Sequence, residues 1–584
     1  MFKKENLKKL QEALKSDELK AYLIVTSDPH NSEYIASHFK AFREYFCPFT
    51  GSAGQLLVTQ NAAYLFADGR YWIQAENELK DSGITLIKVG DKNVPSIYKF
   101  IRQNELTPLG CDLSMITRDE LETFRKKNVN IIDKDYSYLI ENRPELPLNK
   151  VWKLREDLYT LSYKEKIDLI IKELEKEGAE ANLITPLDEI AYILNLRGND
   201  IPCNPVFYSY LYLSRKNGNH LFINKKKIDF ELEGIEIHEY EDILPFMKKH
   251  RDIRTLVDPT RVNARLFHLI YGSVRAKNPS YLMKAIKGEK EIENTKRIQA
   301  LDGLALVKFK KYLRENLKNN LTEYDYAKKL EEFRRESKDL YELSFETIAA
   351  VGSNGAQMHY EPTKEKSSVV SDKEIELLVD SGGQYYGGTT DTTRTFLIGE
   401  ATPEFKHDYT LTLKAVIAVS DAVFIDGSDG HTLDIKARQF MRDEGMDYKC
   451  GTGHGVGYML NVHEGPNGLR YKKVPERDDQ APIVPGMITT IEPGVYKEGK
   501  YGIRIENNLL CVPAFETEMG VFYKFETITY VPIDVEAINI DELTDKEIEW
   551  LNNYHEEVYK KLAPLTKDKE LIDFLRNQTR KIFR

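Results

Sequence analysis

The sequence predicts an α/β (α+β) chain of three domains, and three observations carry that expectation. Short apolar runs rich in β-formers alternate with helical stretches from the N-terminus onward. Two proline-bearing breaks, at residues 142–147 and 278–280, interrupt the pattern. A chain of 584 residues is also too long for one hydrophobic core. The expected divisions are 1–147, 148–282 and 283–584.

In the first division, Leu7, Leu10 and Leu14 line one face of an opening helix, and a strand follows at residues 21–25. A turn-rich block, Phe49-Thr50-Gly51-Ser52-Ala53-Gly54, precedes further strand material that ends in Asp68-Gly69-Arg70-Tyr71-Trp72. The second division repeats the theme with a charged helix at 164–177, a strand, and an acidic turn. Ala21, Leu23, Ile24 and Asp28 recur at the same offsets as Ala181, Leu183, Ile184 and Asp188, which reads as a duplicated domain. In the third, Ile292, Ile298, Leu301, Leu304, Val307 and Leu313 recur near the helical period, so 289–313 reads as one long helix. Further helices are expected at roughly 404–424 and 431–444, and the chain closes in a charged helical tail.

Charged residues make up 30% and hydrophobic ones 41%, as in an ordinary soluble globular protein. A net charge of −10, from 83 basic and 93 acidic side chains, gives no reason to expect nucleic acid or an anionic membrane as partner. No apolar run approaches the ~20 residues of a membrane-spanning helix, and the N-terminus does not read as a signal peptide. Five scattered cysteines without CxxC spacing argue against a disulfide framework, so the expected location is cytoplasmic.

Chemistry concentrates between residues 380 and 506. Asp380 and Asp391 bracket a glycine-rich turn, and their spacing lets a hairpin set them side by side. His454 lies in Gly451-Thr452-Gly453-His454-Gly455-Val456-Gly457, Glu492 in Ile491-Glu492-Pro493-Gly494, and Glu506 in Arg504-Ile505-Glu506-Asn507. Any one alone reads as a turn or loop residue. Together they are four carboxylates and one imidazole, a donor set suited to hard divalent ions such as manganese rather than to sites built on thiolates. Two cations with two bridging carboxylates would bring the cluster near electroneutrality. The glycines around His454 lack the Lys-Ser/Thr of a phosphate-binding loop; they read as room for backbone to approach a metal and a substrate.

These motifs, with Asn461-Val462-His463-Glu464-Gly465-Pro466 and Gly502-Ile503-Arg504-Ile505-Glu506, resemble the pita-bread metallopeptidases, most closely the three-domain cytosolic Xaa-Pro aminopeptidases. The resemblance covers the whole chain and implies two creatinase-like N-terminal domains, a pita-bread catalytic domain and a C-terminal extension. It places Asp380 on one metal and His454 and Glu492 on the other, with Asp391 and Glu506 bridging. Glu492 then accepts a proton from the attacking water. His359, in Gln357-Met358-His359-Tyr360-Glu361-Pro362, and His463 match positions that hydrogen-bond the substrate carbonyl and the tetrahedral intermediate. Arg504, two residues before Glu506 and expected on the same strand face, orients a site carboxylate beside the substrate. The N-terminal domains are expected to supply a pocket wall, including Arg70, and a homodimer contact. The implied partners are proline-containing peptides.

One departure stands out: the family usually has a histidine four residues before the ligand His, and here it is Cys450. A thiol is a weak donor and is mostly neutral near pH 7, so help with proton transfer to the leaving proline nitrogen must come differently. Prolidases, which cleave X-Pro dipeptides, are the nearest alternative, although they usually carry one N-terminal domain. A non-catalytic pita-bread binding module and creatinase-like chemistry are less well matched, because such modules characteristically lose the metal ligands and creatinase works without metal.

Overall fold

The chain forms two compact units, one of Met1–Leu154 with Ser162–Ser280, the other of Arg155–Leu161 with Tyr281–Arg584. This computed structural model describes residues 2–358, 360–472 and 480–584.

The first unit holds two six-stranded sheets of the same design. In one, Ala21–Val25 lies between an antiparallel neighbour, Gln55–Thr59, and a parallel one, Leu109–Cys111. In the other, Ala181–Ile184 lies in the same way between Ser209–Leu213 and Thr255–Val257. Each sheet then adds an antiparallel and a parallel strand on one side and a parallel strand on the other. The duplication read from matching offsets therefore extends to strand order and direction. The two acids differ, however. Asp28 closes a loop by accepting from the His30 and Ser32 amides, each at 3.0 Å, whereas Asp188 lies in the first turn of the helix Leu187–Leu194. The charged helix runs Tyr163–Lys176, because Ser162 and Glu165 cap its first turn reciprocally.

In the second unit the helix Glu289–Asn316 covers the strands Glu376–Ser381 and Thr392–Leu397, with Leu306, Phe309 and Leu313 against Leu377, Val379 and Phe396. Strand alternation explains what this does for Asp380: Leu377 and Val379 face the helices, so Asp380 falls on the opposite face. A buried network fixes the strand further. Arg334 grips Asp302 with Nε at 2.7 Å and Nη2 at 3.1 Å, and Nη2 also donates to Ser381, the neighbour of Asp380, at 3.0 Å. Six further strands form a sheet ordered Val423–Ile425, Gly520–Thr527, Asn507–Thr517, Ile488–Ile491, Gly453–Gly455, Glu464–Leu469. The helices Pro403–Ser420, Gly430–Asp443 and Asp545–Leu562 share one core with it through Leu413, Val416, Ala437 and Leu551.

The helix expected to reach residue 424 stops at Ser420. Asp421 takes the C-cap, and the β-branched and aromatic residues after it form the strand Val423–Ile425 against Gly520–Thr527. Arg504 and Glu506 do not share a strand either. Tyr501–Arg504 ends at Arg504, and the Glu506 amide donates to Thr393 O at 3.1 Å as the chain crosses into the next sheet.

His30 supplies a test of the first unit. Its Nδ1–H donates to Thr185 O at 2.7 Å and Nε2 accepts from Tyr240 Oη at 2.7 Å, and burial pushes its pKa down to about 4. The unfolded chain, with an ordinary histidine near 6.5, then binds the extra proton first, so stability is lost as pH falls from 6.5 toward 4. The shift corresponds to about 3 kcal/mol. In thermal unfolding between pH 4 and 7, His30→Gln is expected to show a shallower pH dependence than the parent chain; parallel curves would refute the assignment.

Candidate active site

The five residues singled out in the sequence stand at strand ends or inside very short strands. Asp380 pairs in register with Thr393, and Asp391 lies two residues before Thr393, just ahead of the strand Thr392–Leu397. The expected hairpin is thus present as an antiparallel pair, with a smaller hairpin, Gly383–Tyr385 and Gly388–Thr389, inserted at its tip in a different sheet. Ile491 pairs with Asn507, which sets Glu492 and Glu506 at the same end of a second antiparallel pair. His454 is the middle residue of Gly453–Gly455.

Their donor atoms form overlapping groups, each with all atoms within 4.8 Å of one another: Asp380, Asp391 and Glu506; His454, Glu492 and Glu506; and Asp391, His454 and His463. Glu506 is common to the first two, while Asp391 joins the Asp380 side to His454. Burial raises the pKa of Asp380, with Arg504 opposing the shift and Asp391 adding to it. Burial likewise raises Glu492, with His454 opposing and Asp391 adding. Glu506 is pushed well up by burial and then by Asp391, Asp380 and Glu492.

His454 shows what the cluster is built to accept. Its Nδ1 lies 2.9 Å from Gly455 O, and a carbonyl can only accept, so Nδ1 carries the proton and Nε2 presents its lone pair. That lone pair faces Asp391 Oδ2 at 3.4 Å and Glu492 Oε1 at 3.5 Å, beyond the usual length of a charge-assisted hydrogen bond. Asp380 Oδ1 is also buried without a hydrogen-bond partner. Converging lone pairs and repelling carboxylates are the chemistry of a divalent-cation site, and the donors fit two such ions.

Arg504 is buried and its guanidinium is fully engaged: Nη2 donates to Asp380 Oδ2 at 2.6 Å, Nη1 to Tyr496 Oη at 2.8 Å and Nε to Thr393 Oγ1 at 3.1 Å. Thr393 Oγ1 in turn donates to Glu506 Oε2 at 2.9 Å. Thr393, Tyr496 and Arg394 were not among the residues the sequence singled out. Arg394 is buried and donates through Nη1 to Thr393 O and Glu506 O, and through Nη2 to Asn507 Oδ1, Val531 O and Tyr554 Oη, all at 2.6–2.9 Å. An arginine inside a run of threonines beside Asp391 was the available signal.

His463 is half-buried, with its ring centroid 4.4 Å from that of His454 and the ring planes at 88°. Burial pushes the Cys450 thiol up to about 12, with Glu492 adding to the shift, so the thiol stays protonated. His359 lies outside the described residues. Arg70 belongs to the first unit, where its Nε and Nη2 close on the Asp68 carboxylate at 2.9 and 2.8 Å.

Two of the glycines around His454 are required by the packing of the chain itself. A Cβ on Gly453 would meet Thr490 O at 1.9 Å, and one on Gly455 would meet Glu464 O at 2.2 Å. The close approach is between neighbouring backbone segments of this chain, which holds His454 tight against the strand that leads to Glu492.

The fold and the buried acidic cluster define a metallopeptidase preceded by two domains of common design. Residues 293–513 match metallopeptidase family M24, residues 521–582 its C-terminal region, and residues 6–142 and 142–291 the creatinase/prolidase N-terminal domain. The chain is 34% identical to Xaa-Pro aminopeptidase 1 of Dictyostelium discoideum, over 98% of this chain and 96% of that one. It is 37% identical to a probable Xaa-Pro aminopeptidase P of Talaromyces marneffei, over 99% and 92%. Among solved structures, the X-prolyl aminopeptidase of Caenorhabditis elegans, described as a cytosolic enzyme with a di-nuclear active site, superposes with a TM-score of 0.91 at 29% identity and 99% coverage of both chains. The chain belongs to the Xaa-Pro aminopeptidase family of the M24 metallopeptidases.

Gly453→Ala is expected to force the Thr490 carbonyl away and to cost about 1–3 kcal/mol, the usual range for overpacking. Thermal unfolding of the variant checks this, and an unchanged midpoint would show that the strand contact can relax.

Proposed function

We propose that this chain is a metal-dependent aminopeptidase that hydrolyses the bond between an N-terminal residue and a penultimate proline. The observation that carries the reading is the pair of overlapping donor groups sharing Glu506 and linked through Asp391, which supports a site for two divalent cations. The near full-length likeness to named Xaa-Pro aminopeptidases, and to a neighbour described as di-nuclear, supports the substrate class. The proposed metal is manganese, since the site offers four carboxylates to one imidazole. The proposed domain divisions are 1–147, 148–282 and 283–584. A homodimer is proposed from the family resemblance, and a cytoplasmic location from the scattered cysteines and the likeness to a structure described as a cytosolic enzyme.

Asp380, Asp391, His454, Glu492 and Glu506 would hold the two cations, with Asp380 on one side of the cluster, His454 and Glu492 on the other, and Asp391 and Glu506 available to both. When bound, the cations supply Lewis acidity, lowering the pKa of water and offsetting negative charge on a carbonyl oxygen. Glu492, at the end of its strand, accepts the proton of the attacking water and delivers it to the proline ring nitrogen as the bond breaks. His463, beside His454 at the edge of the cluster, donates to the substrate carbonyl and the tetrahedral intermediate, and His359 is proposed for the same task from the resemblance. Arg504 fixes Asp380 through its fork and so acts through that carboxylate. Arg70 is proposed for the pocket wall on the resemblance alone.

The test is hydrolysis of an X-Pro-Y tripeptide and an X-Pro dipeptide by chelator-stripped chain, before and after manganese is restored. Release of the first residue from the tripeptide, only with metal, is the expected result. Glu492→Gln is expected to lower kcat by at least about 100-fold. Cleavage confined to the dipeptide would make the chain a prolidase, and cleavage of neither would favour a non-catalytic role.

A further inference from the structure

A second group of metal-type donors lies in the first unit, in the sheet built on Ala181–Ile184. His220 on the strand Asn219–Ile223 pairs in register with Glu236 on the edge strand Ile235–His238, and His238 follows two residues later on the same face. His220 Nδ1 lies 3.0 Å from His238 Nε2, and the Glu236 carboxylate straddles them, Oε2 3.5 Å from His220 Nδ1 and Oε1 3.6 Å from His238 Nε2.

The tautomer of His220 is set by its other nitrogen. Nε2 lies 2.8 Å from Asn217 O, a carbonyl that can only accept, so Nε2 carries the proton and Nδ1 offers a lone pair to the group. A carbonyl holding the remote N–H of a ligand histidine is the usual second partner in zinc sites. Both rings are held in place by aromatic neighbours: His220 lies 4.8 Å from Phe246, and His238 stacks on Phe222 at 4.9 Å and 21°.

The spacing decides between two accounts. A His238 Nε2–H bond to His220 Nδ1 explains the 3.0 Å contact but leaves the carboxylate beyond hydrogen-bond length of both rings. Donor atoms around a tetrahedral zinc, at Zn–N of about 2.0–2.1 Å, stand about 3.3 Å apart; the two ring nitrogens, at 3.0 Å, and each ring's nearer carboxylate oxygen, at 3.5 and 3.6 Å, fall on either side of that value. We propose that His220, His238 and Glu236 bind a zinc ion that clips the edge strand Ile235–His238 to its neighbour. Binding moves the His238 proton from Nε2 to Nδ1, so that both ring lone pairs face the cation, and Glu236 offsets one of its two charges. Glu236, with 68% of its side chain exposed, opens the site to solvent and leaves the fourth position for water. Two imidazoles to one carboxylate favour zinc here, where the active-site cluster favours a harder ion.

The test is equilibrium dialysis of the chelator-stripped full chain against zinc, with bound metal counted per chain. His238→Gln and Glu236→Gln are each expected to hold one zinc fewer than the parent while keeping its manganese-supported peptidase activity, which shows that they are folded. Zinc is also expected to raise the unfolding midpoint of the parent more than that of either variant. Equal zinc counts in all three proteins would overturn the proposal.

Discussion

Four carboxylates held within a few ångströms in a protein interior are the constraint on which the second unit is built. Burial first, and then repulsion from their neighbours, favours their protonation, and the rises at Asp380, Glu492 and Glu506 record that cost. Chain architecture keeps them together. Each stands at a strand end or on the face turned away from the apolar layer, so the residues beside it bury apolar surface while the carboxylate faces the cluster. Glu492 and Glu506 are apposed because Ile491 and Asn507 are paired, and Asp380 and Asp391 because Ser381 and Thr392 are.

Two arginines complete the frame. Arg504 spends its fork on Asp380, Tyr496 and Thr393, which orients a side chain. Arg394 binds three backbone carbonyls, Asn507 and Tyr554, which orients the main chain at Glu506 and ties the helix Asp545–Leu562 to the site. Behind them, Asp302 and Arg334 lock the Asp380 strand to the long helix. Buried charge of this kind is weak evidence for stability; here its geometric role is direct, since each pair ends within two residues of a cluster carboxylate.

The first unit shows how one frame carries different side chains. Its two sheets share strand order and direction, yet the strand pair Ala63–Asp68 with Thr85–Val89 has no histidine where the corresponding pair in the second sheet has His220 and His238. Strand order and direction do not dictate side-chain identity, so the same strand pair near the sheet edge carries histidines in one sheet and none in the other.

The sequence by itself determined the chain's architecture and its reactive inventory. Leu7, Leu10 and Leu14 are buried as their spacing required, the long helix occupies nearly its expected span, and the five clustered donors are those that the family resemblance singled out. Helical and strand periods are local, and a turn advertises itself through glycine and proline, so these features are legible without a partner. What only the tertiary structure decided is non-local. Arg394 and Thr393 gain their roles from residues more than a hundred positions away, and the glycines beside His454 are required by Thr490 and Glu464 on adjacent strands. The helix near residue 420 ended early because Gly520–Thr527 offered Val423–Ile425 a partner. Hydrogen-bond partners, backbone clearance and strand pairing depend on which distant segments meet, and no local pattern records that.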